Sequence, residues 1–405
     1  MALSCAKVLI YMDQEKKGRP WAVGVWSREA VLLTALASLG ILFGVTEVAI
    51  GFYRSKQSQL AQMWFERGNS DLAANKPNQA VQDLRNAVSY APDADQATYQ
   101  LRLAQALVAA NRVSEAESYL LDLWTNEPGS GEINFELAQI EARQGNLAAA
   151  RYFDNAIYGV WPSNAEEHRW QARMGLFQFY RSRGNMGQAQ AELVAMAADT
   201  PRTDYRRRTQ IGQFQLQSGS PRQALEQFRI ALEVKHDYAP ALAGAGEAEF
   251  TIGEYRNAIP YLEAALRYDP KNRQAASQLA LTRMVLNSDP FEIELNQRER
   301  TNRSIDAYLQ ALTSLANCAT SQGIVVESSA PQNPVQRMWA SGQSQRALLS
   351  GFRGQPQAVL QLMNFVFAAE DLVANECGPL QGKDKALWLI GRIHQLSGNK
   401  GQGAD

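Results

Sequence analysis

The sequence predicts an all-α protein: an α-solenoid of about six helix pairs with a capping helix, one N-terminal transmembrane helix, and a C-terminal helical region. Three observations predict it. Residues 205–272 carry one pattern twice, with every landmark displaced by 34 residues, and a fixed period of that size marks a stacked array. Ala30 to Ile50 is an apolar run with a single charge, Glu47. The last third keeps helical periodicity but loses the repeat.

Composition narrows the function classes. A hydrophobic content of 45% with 20% charged residues fits a folded chain, and a net charge of −1 gives nucleic acid nothing to hold. Cys5, Cys318 and Cys377 are too few for a disulfide-dense scaffold, and His168, His236 and His394 lie far apart. No catalytic centre, metal site or cofactor is expected. Phosphate-binding glycine loops, H-E-x-x-H and nucleophile-elbow motifs do not occur.

In chain order, residues 1–29 read as a cytoplasmic segment and residues 30–53 as the membrane span. About 20 apolar residues suffice to cross a hydrocarbon core. Trp21, Trp26, Phe52, Tyr53 and Trp64 flank the run as an interfacial belt would. Five Lys or Arg residues precede it and only Arg54, Lys56 and Arg67 follow closely. That bias places the N-terminus in the cytoplasm and the remainder outside, periplasmic in a bacterium. Gly40 and Gly44 form a G-x-x-x-G, which would allow a homodimer through the membrane helix.

The repeats occupy residues 60–290. Gly219 and Gly253 extend backwards as turn residues Gly184, Gly145, Asn111 and Asn75. Five places beyond each stands alanine (Ala80, Ala116, Ala150, Ala189, Ala224, Ala258). Seventeen beyond stand Pro92, Pro128, Pro162, Pro201, His236 and Pro270. Gly and Asn tolerate the left-handed backbone that ends a helix, and proline stops the next one. Small residues such as Gly212 and Gly246 let the paired helices cross closely, while Phe228 and Leu262 fill the space between pairs. Arg273 to Leu286 reads as the capping helix with a polar outer face. Asn296 to Arg303 reads as the start of a long solvated helix or as a linker.

This pattern resembles the tetratricopeptide repeat (TPR) family over about Leu60 to Asn272. Two departures stand out. The early aromatic survives only as Trp64, and the Gly145 copy has Phe153 one place early, with an insertion around Ser163 to His168. The resemblance implies a concave groove on the first helices, six residues before each turn. There stand Asn69, Gln105, Gln139, Gln178, Gln213 and Glu247, a ladder of carboxamides able to donate and accept hydrogen bonds to a peptide backbone. Phe65, Leu72, Leu101, Val108, Phe135 and Leu216 would add apolar contacts. The expected partner is a peptide or protein, and the expected role is scaffolding in a cell-envelope complex or a permanent place in a membrane complex.

Residues 296–398 read as four helices, over Ser304–Ser321, Gln336–Phe352, Pro356–Glu376 and Lys383–Leu396, with a disordered tail at 399–405. In an up-down order the first and third run parallel. Cys318 and Cys377 then share one end, and an oxidising compartment would bond them. The rival reading is an enzyme in this region, for which Cys377, His394 and Glu376 are the available reagents. Glu115, Glu117, Glu166 and Glu167 read as solvated surface, and Arg206, Arg207 and Arg208 as solvated or as links between repeats.

Overall fold

The computed structural model describes residues 28–346, 349 and 355–400. The expected cytoplasmic segment, with Cys5, and the end of the expected tail lie outside them, as does most of 347–354. Among the described residues the chain is helical throughout and forms two compact units, residues 1–146 and 147–405.

The first unit contains α1 (Arg28–Ala73), α2 (Pro77–Tyr90), α3 (Gln96–Ala109), α4 (Val113–Asn126) and α5 (Gly131–Gln144). The second begins with α6 (Ala148–Tyr158), α7 (Ala165–Ser182), α8 (Met186–Asp199), α9 (Tyr205–Gln217) and α10 (Pro221–Val234). It continues through α11 (Ala239–Ile252), α12 (Tyr255–Tyr268), α13 (Arg273–Ser288), α14 (Gln297–Ser321), α15 (Pro334–Arg346), α16 (Pro356–Cys377) and α17 (Gly382–Lys400).

The six turn residues explain the pairing. Asn75, Asn111, Gly145, Gly184, Gly219 and Gly253 all take positive φ, between 57° and 96°. Each stops a first helix, and the second helix starts within a few residues. Second helices end two residues before their landmark in five copies, for example α4 at Asn126 before Pro128 and α10 at Val234 before His236. Nine places beyond the turn comes a large side chain that fills the pair: Leu84, Leu120, Leu193, Phe228 and Leu262, all at most 1% exposed. The Gly145 copy slips by one residue. There Phe153 is the large buried side chain, its ring against Gly175 of α7, and Ala149 is the fully buried alanine, while Ala150 is only half-buried. Phe228 lies between α9 and α11; a Cβ on Gly212 would meet its ring at 2.8 Å, and Gly244 faces the same ring from the next pair.

Four expectations need correction. The span and the first repeat are not separate elements: α1 is one helix of 46 residues, because Arg54 to Leu60 contains no glycine or proline to break it. The outer face of α13 is not a polar cap. Val285 and Tyr255 share a core with Tyr308, Leu315, Leu362, Val366, Leu387 and Ile390, so α14 to α17 cover the end of the array. His394 on α17 bonds Asp289 at 3.3 Å and packs its ring at a tilt against Phe291. The start of α14 is solvated on one side only: Arg298, Glu299 and Asn302 are exposed, but Thr301 and Ser304 are buried, Arg300 donates to the carbonyls of Glu292 and Leu295, and Arg303 donates to those of Leu286 and Asp289. The second of the four C-terminal helices begins earlier, at Pro334, and is described only to Arg346.

Within this bundle α14 and α16 run parallel, and a disulfide joins Cys318 to Cys377 with Cα atoms 5.7 Å apart. Tyr308 donates from its hydroxyl to the Gly342 carbonyl at 2.5 Å, tying α14 to α15. The apolar stretch of α1 lies outside this packing. Every residue from Val31 to Tyr53 is exposed, Leu39 and Phe43 at 68% each.

Candidate functional site

The ladder places lie on first helices in both units, and each unit uses them differently. In the first unit, Arg102 of α3 donates to Asn69 of α1 at 2.5 Å and to Gln105 at 2.8 Å. Gln105 in turn donates to Glu136 of α5 at 3.0 Å. The structure thus brings Asn69 and Gln105 into one network that crosses three first helices. Burial pushes the Glu136 carboxyl above its usual range, although the Gln105 amide opposes the shift. Gln139 lies half-buried one turn beyond Glu136. Sequence reading missed Arg102 and Glu136, although both stand nine residues before their turns and a ladder of charges at that spacing was there to be found.

The apolar places are half-buried. Phe65 stacks on Tyr99 with centroids 4.4 Å apart, so its ring already serves α1 and α3. In the second unit Gln178 and Gln213 are exposed and Glu247 is half-buried. Gln213 and Glu247 come together with Leu216 in a cleft of about 460 Å³. Pro240, Ala243 and Gly244 of α11 form part of its wall, and α13 contributes Gln274 and Gln278. Gln274 donates to Glu247 at 3.2 Å. Gln178 does not join this cleft.

The basic run beside it is structural. Arg208 is 6% exposed and donates to the Thr200 carbonyl and, at 2.7 Å, to Gln227. Arg207 binds Glu166 at 2.8 Å and Glu167 at 2.6 Å and lies over Trp170. Those glutamates, carried by an extra turn of α7, are therefore links between helices, and Glu115 likewise bonds Arg85 and Arg112. A second cleft of about 490 Å³, lined by Trp170, Arg169, Arg173 and Asp199, opens beside this network.

The reagents of the enzyme reading are not assembled. Cys377 is bonded to Cys318, while His394 lies 12 residues along α17, roughly 18 Å at 1.5 Å per residue. Among the described residues no three His, Cys, Asp or Glu side chains form a group able to hold a metal.

The tetratricopeptide repeat family model matches residues 65–124, 101–165, 210–273 and 243–304, just under half the chain. Those segments match the tetratricopeptide repeat model. The unmatched stretch between them is the α7–α8 pair, whose first helix has 18 residues and carries Phe177 where other copies cross on glycine or alanine. It keeps the TPR turn at Gly184. Comparison with curated proteins yields no match.

Several solved TPR structures are similar to parts of this chain at low identity. YrrB, described as a TPR protein with an unusual peptide-binding site, is 17% identical, with a TM-score of 0.37, over 48% of this chain and 95% of its own. PilW, described as a type IV pilus biogenesis factor, is also 17% identical, with a TM-score of 0.39, over 55% of this chain and 99% of its own. The C-terminal part of a TPR protein from Cytophaga hutchinsonii is 15% identical, with a TM-score of 0.43, over 60% of this chain and 98% of its own.

Proposed function

We propose that this chain is a membrane-anchored interaction scaffold. Residues 30–53 cross a membrane once, residues 1–29 stay in the cytoplasm, and residues 60–290 present their first-helix face to a peptide or protein on the extracytoplasmic side. The role is assembly or organisation of an envelope complex, with residues 296–398 as a second docking surface. The observation that carries the binding reading is the cleft that gathers Gln213, Leu216 and Glu247 with Gln274 and Gln278, amide groups beside apolar wall. A peptide backbone needs both donors and acceptors along its length, and carboxamides supply both. The anchor reading rests on α1, the one helix among the described residues that is long and apolar enough to cross a membrane, with its apolar stretch from Val31 to Tyr53 exposed throughout. Such a surface in water would aggregate. Gly40 and Gly44 face open space, as a helix–helix contact in the membrane requires.

The test is affinity capture from a detergent extract, comparing the unaltered protein with the triple variant Gln139→Ala, Gln178→Ala, Gln213→Ala. Loss of the co-purifying partner is expected; full retention would overturn the groove reading. A membrane-impermeant thiol reagent should leave Cys5 unlabelled in intact cells, and labelling there would reverse the topology.

A further inference from the structure

We propose that the cleft of the second unit accepts a basic segment of the partner, with a lysine or arginine side chain set against Glu247; this deepens the groove reading above and rests on it. Five of the six ladder places are carboxamides, and Glu247 alone is a carboxylate. It sits on α11 between the cleft's contributions from α9 and α13. The ionisable groups among the described residues lining the cleft are Glu247 and Asp269, with no lysine or arginine. Lys271 and Arg273 stand nearby but are exposed and outside the lining.

The contrast with Glu249 on the same helix is informative. Glu249 is 2% exposed and receives Arg229 at 2.9 Å. The chain therefore supplies a cation where α11 buries a structural carboxylate. At Glu247 it supplies one neutral amide, Gln274, at 3.2 Å. Burial raises the Glu247 carboxyl, as expected for a charge removed from water without a compensating partner. A guanidinium or ammonium arriving from outside would supply that partner. The walls suit its stem: Leu216, Pro240 and Ala243 are apolar, and Gly244 offers bare backbone because Phe228 fills the space behind it. Gln213 and Gln278 remain to bond the peptide groups on either side, whereas the Gln217 side-chain carbonyl already accepts from Arg181 at 3.0 Å.

The experiment uses the full chain in detergent and four fluorescent libraries of capped 12-residue peptides. The libraries are degenerate except for one fixed central residue: Lys, Arg, Gln or Glu. Anisotropy should show the Lys and Arg libraries binding about five-fold tighter than the Gln library, with Glu weakest, the scale of a partly desolvated ion pair. The preference should shrink with added salt. Glu247→Gln should cut it below about two-fold while Gln-library binding survives, and Glu247→Lys should turn it toward Glu. Equal binding of all four libraries, weakened by Gln213→Ala, would overturn the basic-segment inference and leave the groove standing. Binding by none would overturn both.

Discussion

A Cβ added at Gly246 would meet the Leu262 side chain at 2.6 Å, and Leu262 is fully buried with nowhere to retreat. Gly246→Ala should therefore destabilise the second unit by about 1–3 kcal/mol, read as a lowered Tm, although alanine is the better helix former. Three consecutive arginines separate just as sharply. Arg208→Met strips the Thr200 carbonyl and Gln227 of a buried charged donor and should cost about 2–3 kcal/mol. Arg206, exposed over the Tyr205 ring, should tolerate alanine with Tm unchanged in the same measurement. The sequence could not rank these three, because helical spacing spreads them around α9 without saying which neighbour waits at each angle. It could name Gly246, whose place recurs as Gly212 one period earlier.

Among the elements, the C-terminal bundle holds two devices. The Cys318–Cys377 disulfide closes a loop with a sequence separation of 59. Reduction, or the paired Cys→Ser variant, should lower the bundle's stability by roughly 2–4 kcal/mol on the chain-entropy account. Equal free-thiol counts in denatured protein with and without reductant would show that no bridge forms. The second device is Glu370 on α16. It is fully buried, and the Ser314 hydroxyl, which alone opposes its protonation, is drawn to Asp384 at 2.6 Å. Desolvation, then the nearby Asp384, push its carboxyl up to about 8. Below the unfolded value of 4.5 both states hold the proton. Between there and about 8 only the folded state does, so stability should fall as pH rises, at about 1.4 kcal/mol per unit. Thermal unfolding from pH 5 to 9 measures that slope, and Glu370→Gln should flatten it. Nothing in the local sequence marks Glu370, since Ala-Ala-Glu-Asp reads as ordinary helix surface. Its burial comes from α14 and α17, which long-range packing brings over it. The covering of α13 was illegible for the same reason, whereas the left-handed turns were legible because each depends on its own residue.

For the whole molecule, the repeat carried most of what could be read. Six turn residues fixed the helix pairs, and the copy with Phe153 one place early showed its slip before any packing was known. The groove was legible only as a row of places. Which of them meet depends on the partners: Arg102 links Asn69 to Gln105, the cleft gathers Gln213 with Glu247, and Gln178 stands apart. Full-length protein should sediment with membranes and resist extraction by alkaline carbonate. A chain beginning at Gln57 should stay in solution with its helical circular dichroism intact, because residues 31–53 touch nothing else.

The unbroken course of α1 has a mechanical meaning. A helix without a hinge transmits torque, so the angular setting of the apolar segment dictates which way the first repeats look. From Tyr53 to Ala73 the axis rises roughly 30 Å, a stiff mast. One residue inserted after Lys56 would swing the first unit by about 100° about that mast, while seven would lift it by about 10 Å and return it nearly to its original heading. With α1 anchored as proposed, a partner in the same bilayer would feel the first change far more than the second.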